Sequence, residues 1–322
     1  LGVFLQVLLL FLYLKNRLPY MKWHIDFSHP AVKKTFYLMI PILLGTSVSY
    51  LNTIIDRIFA SGLTEGSISA LNFSARVKDL PISLFAGSIS VAIYPTTSEL
   101  VVEGRNDRII DLLNKAIRFT WIIVIPASIG LIVLDREIIS LLFERGAFDS
   151  RATILTAGAL RYYSLSLFAS SVNPIIARTF YSFQDTVTPV LVSFLAIGLN
   201  ICLNAILVRI MAHLGLALAT SISSMFSFIL LLFLLRKKLG PVGGKRLISD
   251  FLKIISASLV MGGILYYSKG HLNFINVEIL KTIIFILLGI SVYSIIILLI
   301  MNEERERLRF TLIRILRRFS QS

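Results

Sequence analysis

Apolar residues run in long blocks along this chain, and short polar joints separate them. Nine blocks stand out, at roughly 1–14, 36–60, 69–95, 116–134, 153–177, 187–209, 214–235, 252–268 and 278–301. A helix rises 1.5 Å per residue, so a hydrocarbon layer about 30 Å thick needs about 20 apolar residues to cross it. Most blocks meet that length. The joints carry turn and cap signals: His29–Pro30, Ser61–Gly62, Asp185–Thr186 ahead of Pro189, and the glycines around Pro241. The pattern predicts an all-α integral membrane protein, a polytopic bundle of about nine transmembrane segments, with 153–177 as one of them. Pro41, Pro81, Pro126 and Pro174 fall inside blocks, and kinks are expected there.

Two stretches read as interfacial. Residues 136–148 are short and amphipathic. From Leu308 the tail places apolar residues at 308, 312, 315, 316 and 319, with arginines between them. Such a helix is expected to lie on anionic membrane lipids of the inner leaflet; a solvated basic tail is the alternative. The first block begins at Leu1, without a methionine, and has neither a basic leader nor a small-residue cleavage site. It is expected to be the tail of a helix whose beginning is missing.

Composition agrees with the pattern. The chain is 56% hydrophobic and 16% charged, whereas a soluble domain is about 45–50% apolar and about 25% charged. A net charge of +14 would suggest nucleic acid in a soluble protein. Here orientation accounts for it. Alternate joints, starting with 15–35 and ending with the tail, hold 22 Lys and Arg, and the joints between them hold 6. The positive-inside rule then makes the tail cytoplasmic and has the first block enter from outside. Nucleic acid is not an expected partner. Cys202, the one cysteine, is expected to be a small buried packing residue. No HExxH, CxxC, Walker loop or GxSxG occurs, so no catalytic constellation is expected.

The informative residues are polar ones inside the blocks. Asp56 and Arg57 lie near the outer end of the second block. One reading has them solvated at the headgroups; the other makes them functional. Depth bears on the choice. Counting from block midpoints, Asn200, Asn204, Thr220 and Asp56 lie about 3, 9, 7 and 12 Å to the outer side. Asn200 and Asn204 are four apart and share a helix face. An acid, two amides and a hydroxyl at nearly one level offer only oxygen ligands, which suits a hard cation such as Na⁺. Alternatively, they only tie helices together. Arg76 and Arg161 lie about 9 and 6 Å to the outer side. A planar guanidinium there suits an anionic, phosphate-bearing guest in a cavity. For Arg161, snorkelling or pairing with an acid is the competing reading.

Specific strings then carry a resemblance. Residues 56–99 (DRIFASGLTEGSISALNFSARVKDLPISLFAGSISVAIYPTTSE), LLFERGAFD at 141–149, ARTFYSFQDTVTPV at 177–190 and GLALATSIS at 215–223 resemble the second half of the MurJ (MviN) lipid II flippases. The resemblance implies a fourteen-helix transporter of the multidrug/oligosaccharidyl-lipid/polysaccharide exporter superfamily, with two six-helix lobes around a central cavity and two extra helices. Residues 1–35 would then be the end of the sixth helix and a linker. Residues 36–240 would be the second lobe, and 241–322 the additional pair and tail. The resemblance also implies a cation site made by Asp56, Asn200, Asn204, Thr220 and the carbonyl of Leu216. Asn204 stands where an aspartate can occur. Arg76 matches a cavity arginine, although Ala75 replaces an acid that can precede it.

The function implied is translocation of lipid II between the leaflets of the bacterial inner membrane by alternating access. The partners are lipid II and a missing N-terminal lobe; Na⁺ is a possible coupling ion, and no other cofactor is expected. A cation-coupled multidrug or polysaccharide-lipid exporter on the same scaffold is the alternative. An integral-membrane enzyme would want clustered carboxylates or histidines at the inner face, and the joints there offer only Asp185 and Asp250.

Overall fold

The computed structural model describes residues 2–14, 29–241, 244–271 and 278–300. It divides into two compact units, Leu1–Pro41 and Ile42–Ser322. The first holds α1 (Gly2–Leu14) and the opening turns of α2 (Pro30–Ser61). α1 is apolar all round and its side chains from Phe4 to Tyr13 are exposed, as lipid-facing residues are.

The second unit is a helix bundle. After α2 come α3 (Ser67–Pro81), a π-helical segment (Ile82–Gly87) and α4 (Ser88–Val102), one continuous rod. Pro81 has no N–H to return to the preceding turn, and the wider π winding starts directly after it. α5 (Asn106–Val133), α6 (Asp135–Phe143), α7 (Ser150–Ser164), α8 (Leu167–Ser170) and α9 (Asn173–Ser182) follow. Last among the described residues come α10 (Val187–Met211), α11 (His213–Leu239), α12 (Gly244–His271) and α13 (Glu278–Ile300). Among the described residues, six helical rods are long and apolar enough to cross a membrane. Leu287, Ile290, Ile295 and Leu299 of α13 are each more than half exposed, so water is not their solvent.

Three expectations are corrected. Residues 153–177 are not one helix: the block breaks at Leu165–Ser166 and again at Ser171–Val172. Unpaired carbonyls are costly in hydrocarbon, and neighbouring helices satisfy those at the breaks. Ser128 Oγ donates to Ser164 O at 2.5 Å, Trp121 Nε1 to Phe168 O at 2.9 Å, and Ser221 Oγ to Tyr162 O at 2.7 Å. Pro174 does not kink a helix; it opens α9, where its missing N–H costs nothing. Cys202 is exposed. Asn200 and Asn204 take the buried stripe of α10, so a residue midway between them faces outward.

Pro126 lies inside α5, as expected, and leaves the Ile122 carbonyl without its helical donor. Tyr293 Oη of α13 takes that place at 2.8 Å. α12 buries Leu247, Ile254, Ala257, Met261 and Leu265, a helical-period stripe, against α5 and α13. Gly262 lets it approach closely: a Cβ there would meet Ile129 Cγ2 at 2.6 Å. Arg118 of α5 and Asp250 of α12 are both buried and lie 3.9 Å apart.

The corner before α10 is held by Asp185. It accepts from Thr188 N and Oγ1, both at 3.0 Å, and from Lys238 Nζ at 2.8 Å. Burial works to raise its pKa, but the hydrogen bonds from Lys238 and Thr188 outweigh it and hold the carboxyl below its ordinary value. α6 fulfils the amphipathic expectation as far as Phe143, with Ile139 turned inward. The amphipathic tail from Leu308 lies outside the described residues.

Candidate functional site

The site is built on the α10–α11 hairpin. The two helices are joined by Ala212 alone, held at φ 50° and ψ −132°. Gly215 sits one turn on, under the Leu207 carbonyl; a Cβ there would occupy the space of that carbonyl's atoms. Only glycine allows this approach, and the approach brings Asn200 within reach of Thr220. Gly215→Ala is therefore expected to cost about 1–3 kcal/mol through forced backbone movement. It should lower the thermal midpoint in detergent and spread Asn200 from Thr220. An unshifted midpoint would show that the hairpin has slack.

Side chains from three helices converge beside it. Asn204 is fully buried and Asn200 nearly so. Asn204 Nδ2 donates to Asp56 Oδ1 at 2.7 Å and to Asn200 Oδ1 at 2.9 Å. Thr220 Oγ1 lies 3.3 Å from Asp56 Oδ2 and 3.0 Å from the Leu216 carbonyl. Asn200 Nδ2 reaches Thr220 Oγ1 at 3.4 Å. The structure thus brings together Asp56 of α2, Asn200 and Asn204 of α10, and Leu216 and Thr220 of α11. Arg57 takes no part in these bonds: it is exposed, with Nη2 3.4 Å from Asn72 Oδ1.

The donor set fits a hard cation. All the ligand atoms it offers are oxygens, and Asn204 Oδ1 is buried without a hydrogen-bond partner. A half-turn of that amide would set three oxygens, from Asp56, Asn200 and Asn204, face to face. Such a grouping is stable only around a positive charge. In the present arrangement the Asn204 amide group supplies that positive end. Among the described residues no group of three or more His, Cys, Asp or Glu side chains gathers as a metal centre would require.

A cavity of about 200 Å³ adjoins the cluster between α2, α3, α7 and α11. Asp56 and Thr220 form part of its wall, and Arg57, Asn72, Lys78, Asp79 and Tyr163 add to the polar lining. Lys78 Nζ lies 3.2 Å from Asp79 Oδ1 and 5.1 Å from the centre of the Tyr163 ring. Lys78, Asp79 and Tyr163 were not among the candidates. Their signal was present, since Lys78 and Asp79 are charges within an apolar block.

The two arginines part company. Arg76 is exposed on α3. Arg161 holds Asp135 with Nη2 at 2.6 Å and Nε at 2.8 Å. Asp135 is 2% exposed and also accepts from Arg136 N at 2.8 Å. Arg161 therefore ties α7 to the start of α6, the pairing with an acid that the sequence left open, while its side chain stays 54% exposed.

Long apolar helices, six of them among the described residues able to cross a membrane, around a buried polar cluster define a multi-pass membrane protein. The family described as "Lipid II flippase MurJ" matches residues 1–285. This chain belongs to the MurJ family. It is 36% identical over 239 residues to the probable lipid II flippase MurJ of Vibrio cholerae, covering 71% of this chain and 45% of that protein. Among solved structures, "Lipid II flippase MurJ, inward closed conformation" superposes with a TM-score of 0.69 at 32% identity, over 90% of this chain and 59% of that one. A MOP superfamily transporter from Pyrococcus furiosus shares the fold at a TM-score of 0.55 and 18% identity, over 82% of this chain and 62% of that one. The chain spans about half the length of the curated relatives it matches.

Proposed function

We propose that the chain forms the second lobe and additional helix pair of a fourteen-helix lipid II flippase, with residues 36–240 as the lobe and 241–322 as the pair and tail. A first lobe completes the central cavity, the tail is cytoplasmic, and the membrane is the bacterial inner membrane. The observation that carries this reading is the family match over residues 1–285, which includes the polar cluster. Lipid II carries a pyrophosphate and a large polar head that hydrocarbon rejects. Arg76, exposed on α3, suits the phosphates in a cavity shared by the two lobes. An apolar groove of about 670 Å³ between α5, α6, α12 and α13 is lined by Ile122, Pro126, Gly130, Met261, Phe285 and Tyr293. It offers the isoprenoid tail a path that stays out of water.

Asp56, Asn200, Asn204, Thr220 and the Leu216 carbonyl would hold Na⁺, which would supply a positive charge that pins α2 to the α10–α11 hairpin. Moving one charge across the membrane is worth about 2.3 kcal/mol per 100 mV, enough to bias the return of the empty carrier. The test is rescue of a flippase-depleted bacterium by the full-length gene, with lipid II binding followed by native mass spectrometry. Rescue is expected, with Arg76→Ala weakening binding. Failure to rescue, together with export of drugs or polysaccharide-lipids from vesicles, would select the exporter reading instead.

A further inference from the structure

Lys78 is the residue the cation site does not yet explain. It projects from α3 into the cavity beside Asp56, and its side chain is only 15% exposed. Its neighbour Asp79 does not account for that position. Asp79 Oδ1 lies 3.2 Å from the ammonium, but the Asp79 side chain is 59% exposed, so water already serves it. An ion pair with so exposed a partner adds little. Nor does packing require an ammonium there: an unbranched apolar chain such as Met would fill the same space against Tyr163. What the ammonium adds is charge. Four charged side chains line this cavity, Asp56 and Asp79 against Arg57 and Lys78, and they sum to zero. A bound Na⁺ would leave the cavity with one uncompensated positive charge in a setting where charge is poorly screened.

We propose that Lys78 is a tethered cation that competes with the coupling ion for Asp56. With the ion site empty, the ammonium stays at the cavity wall between the Tyr163 face and Asp79 Oδ1, 3.2 Å away, and its charge offsets Asp56 through space. A cation held by Asp56, Asn200, Asn204 and Thr220 must work against that standing charge. The lysine thus sets how much sodium the site needs. This inference rests on the cation-site reading above.

The test is an NaCl titration of the full-length protein in nanodiscs, balanced with choline chloride so that ionic strength stays constant. Thermal midpoint and spin-label distance are the readouts. Lys78→Met is expected to lower the NaCl concentration at half-response at least tenfold and to enlarge the gain in thermal midpoint between zero and saturating NaCl. Lys78→Gln does the same and serves if the Met variant fails to fold. Lys78→Arg, which keeps the charge, is expected to stay within about threefold of the parent, since its guanidinium remains protonated. An unchanged or raised half-response in both neutral variants, with Asp56→Asn still abolishing the response, overturns the tethered-cation role and leaves the ion site standing. A drop in Lys78→Arg equal to that in Lys78→Met overturns it too, because charge is then not the cause. A response that survives Asp56→Asn, or no response in parent and neutral variants alike, overturns the ion site and this inference with it.

Discussion

Asp56→Asn should leave the protein folded and silence its response to sodium. The substitution keeps shape and volume. The new amide carbonyl still accepts from Asn204 Nδ2, which now lies 2.7 Å from Asp56 Oδ1. Thr220 keeps its bond to the Leu216 carbonyl. What disappears is the one formal negative charge among the five ligands. A unit charge about 4 Å from another is worth about 4 kcal/mol at an effective dielectric constant near 20. That is close to three decades in affinity, enough to push half-response beyond any usable salt concentration. The same titration with choline balance reads it, on the full-length protein. Sodium response with an unshifted midpoint would remove Asp56 from the site. It would return the cluster to the plainer role of tying α2 to the α10–α11 hairpin.

The bundle was legible because lipid imposes a simple code: long apolar blocks, short joints and a lopsided distribution of basic residues. The site was legible for a related reason. Hydrophilic residues are expensive in apolar blocks, so Asp56, Asn200, Asn204 and Thr220 stood out, and helical spacing put the two asparagines on one face. The breaks at Leu165–Ser166 and Ser171–Val172 were not legible. The block around them is apolar enough to pass for one helix, and what permits the breaks is tertiary: Ser128, Trp121 and Ser221 satisfy its carbonyls from other helices. Cys202 was misjudged because apolar surroundings in a sequence do not mean burial when lipid is the solvent. Lys78 was overlooked for a different reason. Of the 32 Lys and Arg, all but four fall in joints or at the block ends beside them. Those four are Arg57, Arg76, Lys78 and Arg161, and only Lys78 escaped scrutiny. The place of Lys78 over the Tyr163 ring is set by the packing of α3 against α7, which no spacing rule encodes. Arg161 shows the same limit: its partner Asp135 lies 26 residues away on another helix.

Asn204→Asp should do the reverse of Asp56→Asn, and the geometry indicates by how much. In this chain the Asn204 amide donates to both Asp56 and Asn200, so it holds the cluster together without an ion. An aspartate has no hydrogens to give. Without sodium, two carboxylates would face each other where an amide now bridges, and one of them would have to take up a proton or move apart. The cation-free protein should therefore lose about 2–4 kcal/mol of stability, the usual penalty when a buried bridging group leaves its partner charge unpaired. With sodium, the ion gains a second charged ligand in place of a dipole. Some of the Coulomb gain goes to desolvating the new carboxylate, which leaves about two decades of tighter binding. The signature is a crossover: a thermal midpoint below the parent's in choline chloride and at or above it in NaCl. Asn204→Leu gives the control, with the bridge lost, no new charge and no recovery in sodium. If Asn204→Asp is destabilised equally in both salts, the oxygens do not meet around a cation. The amide bridge between α2 and α10 is then a structural tie alone.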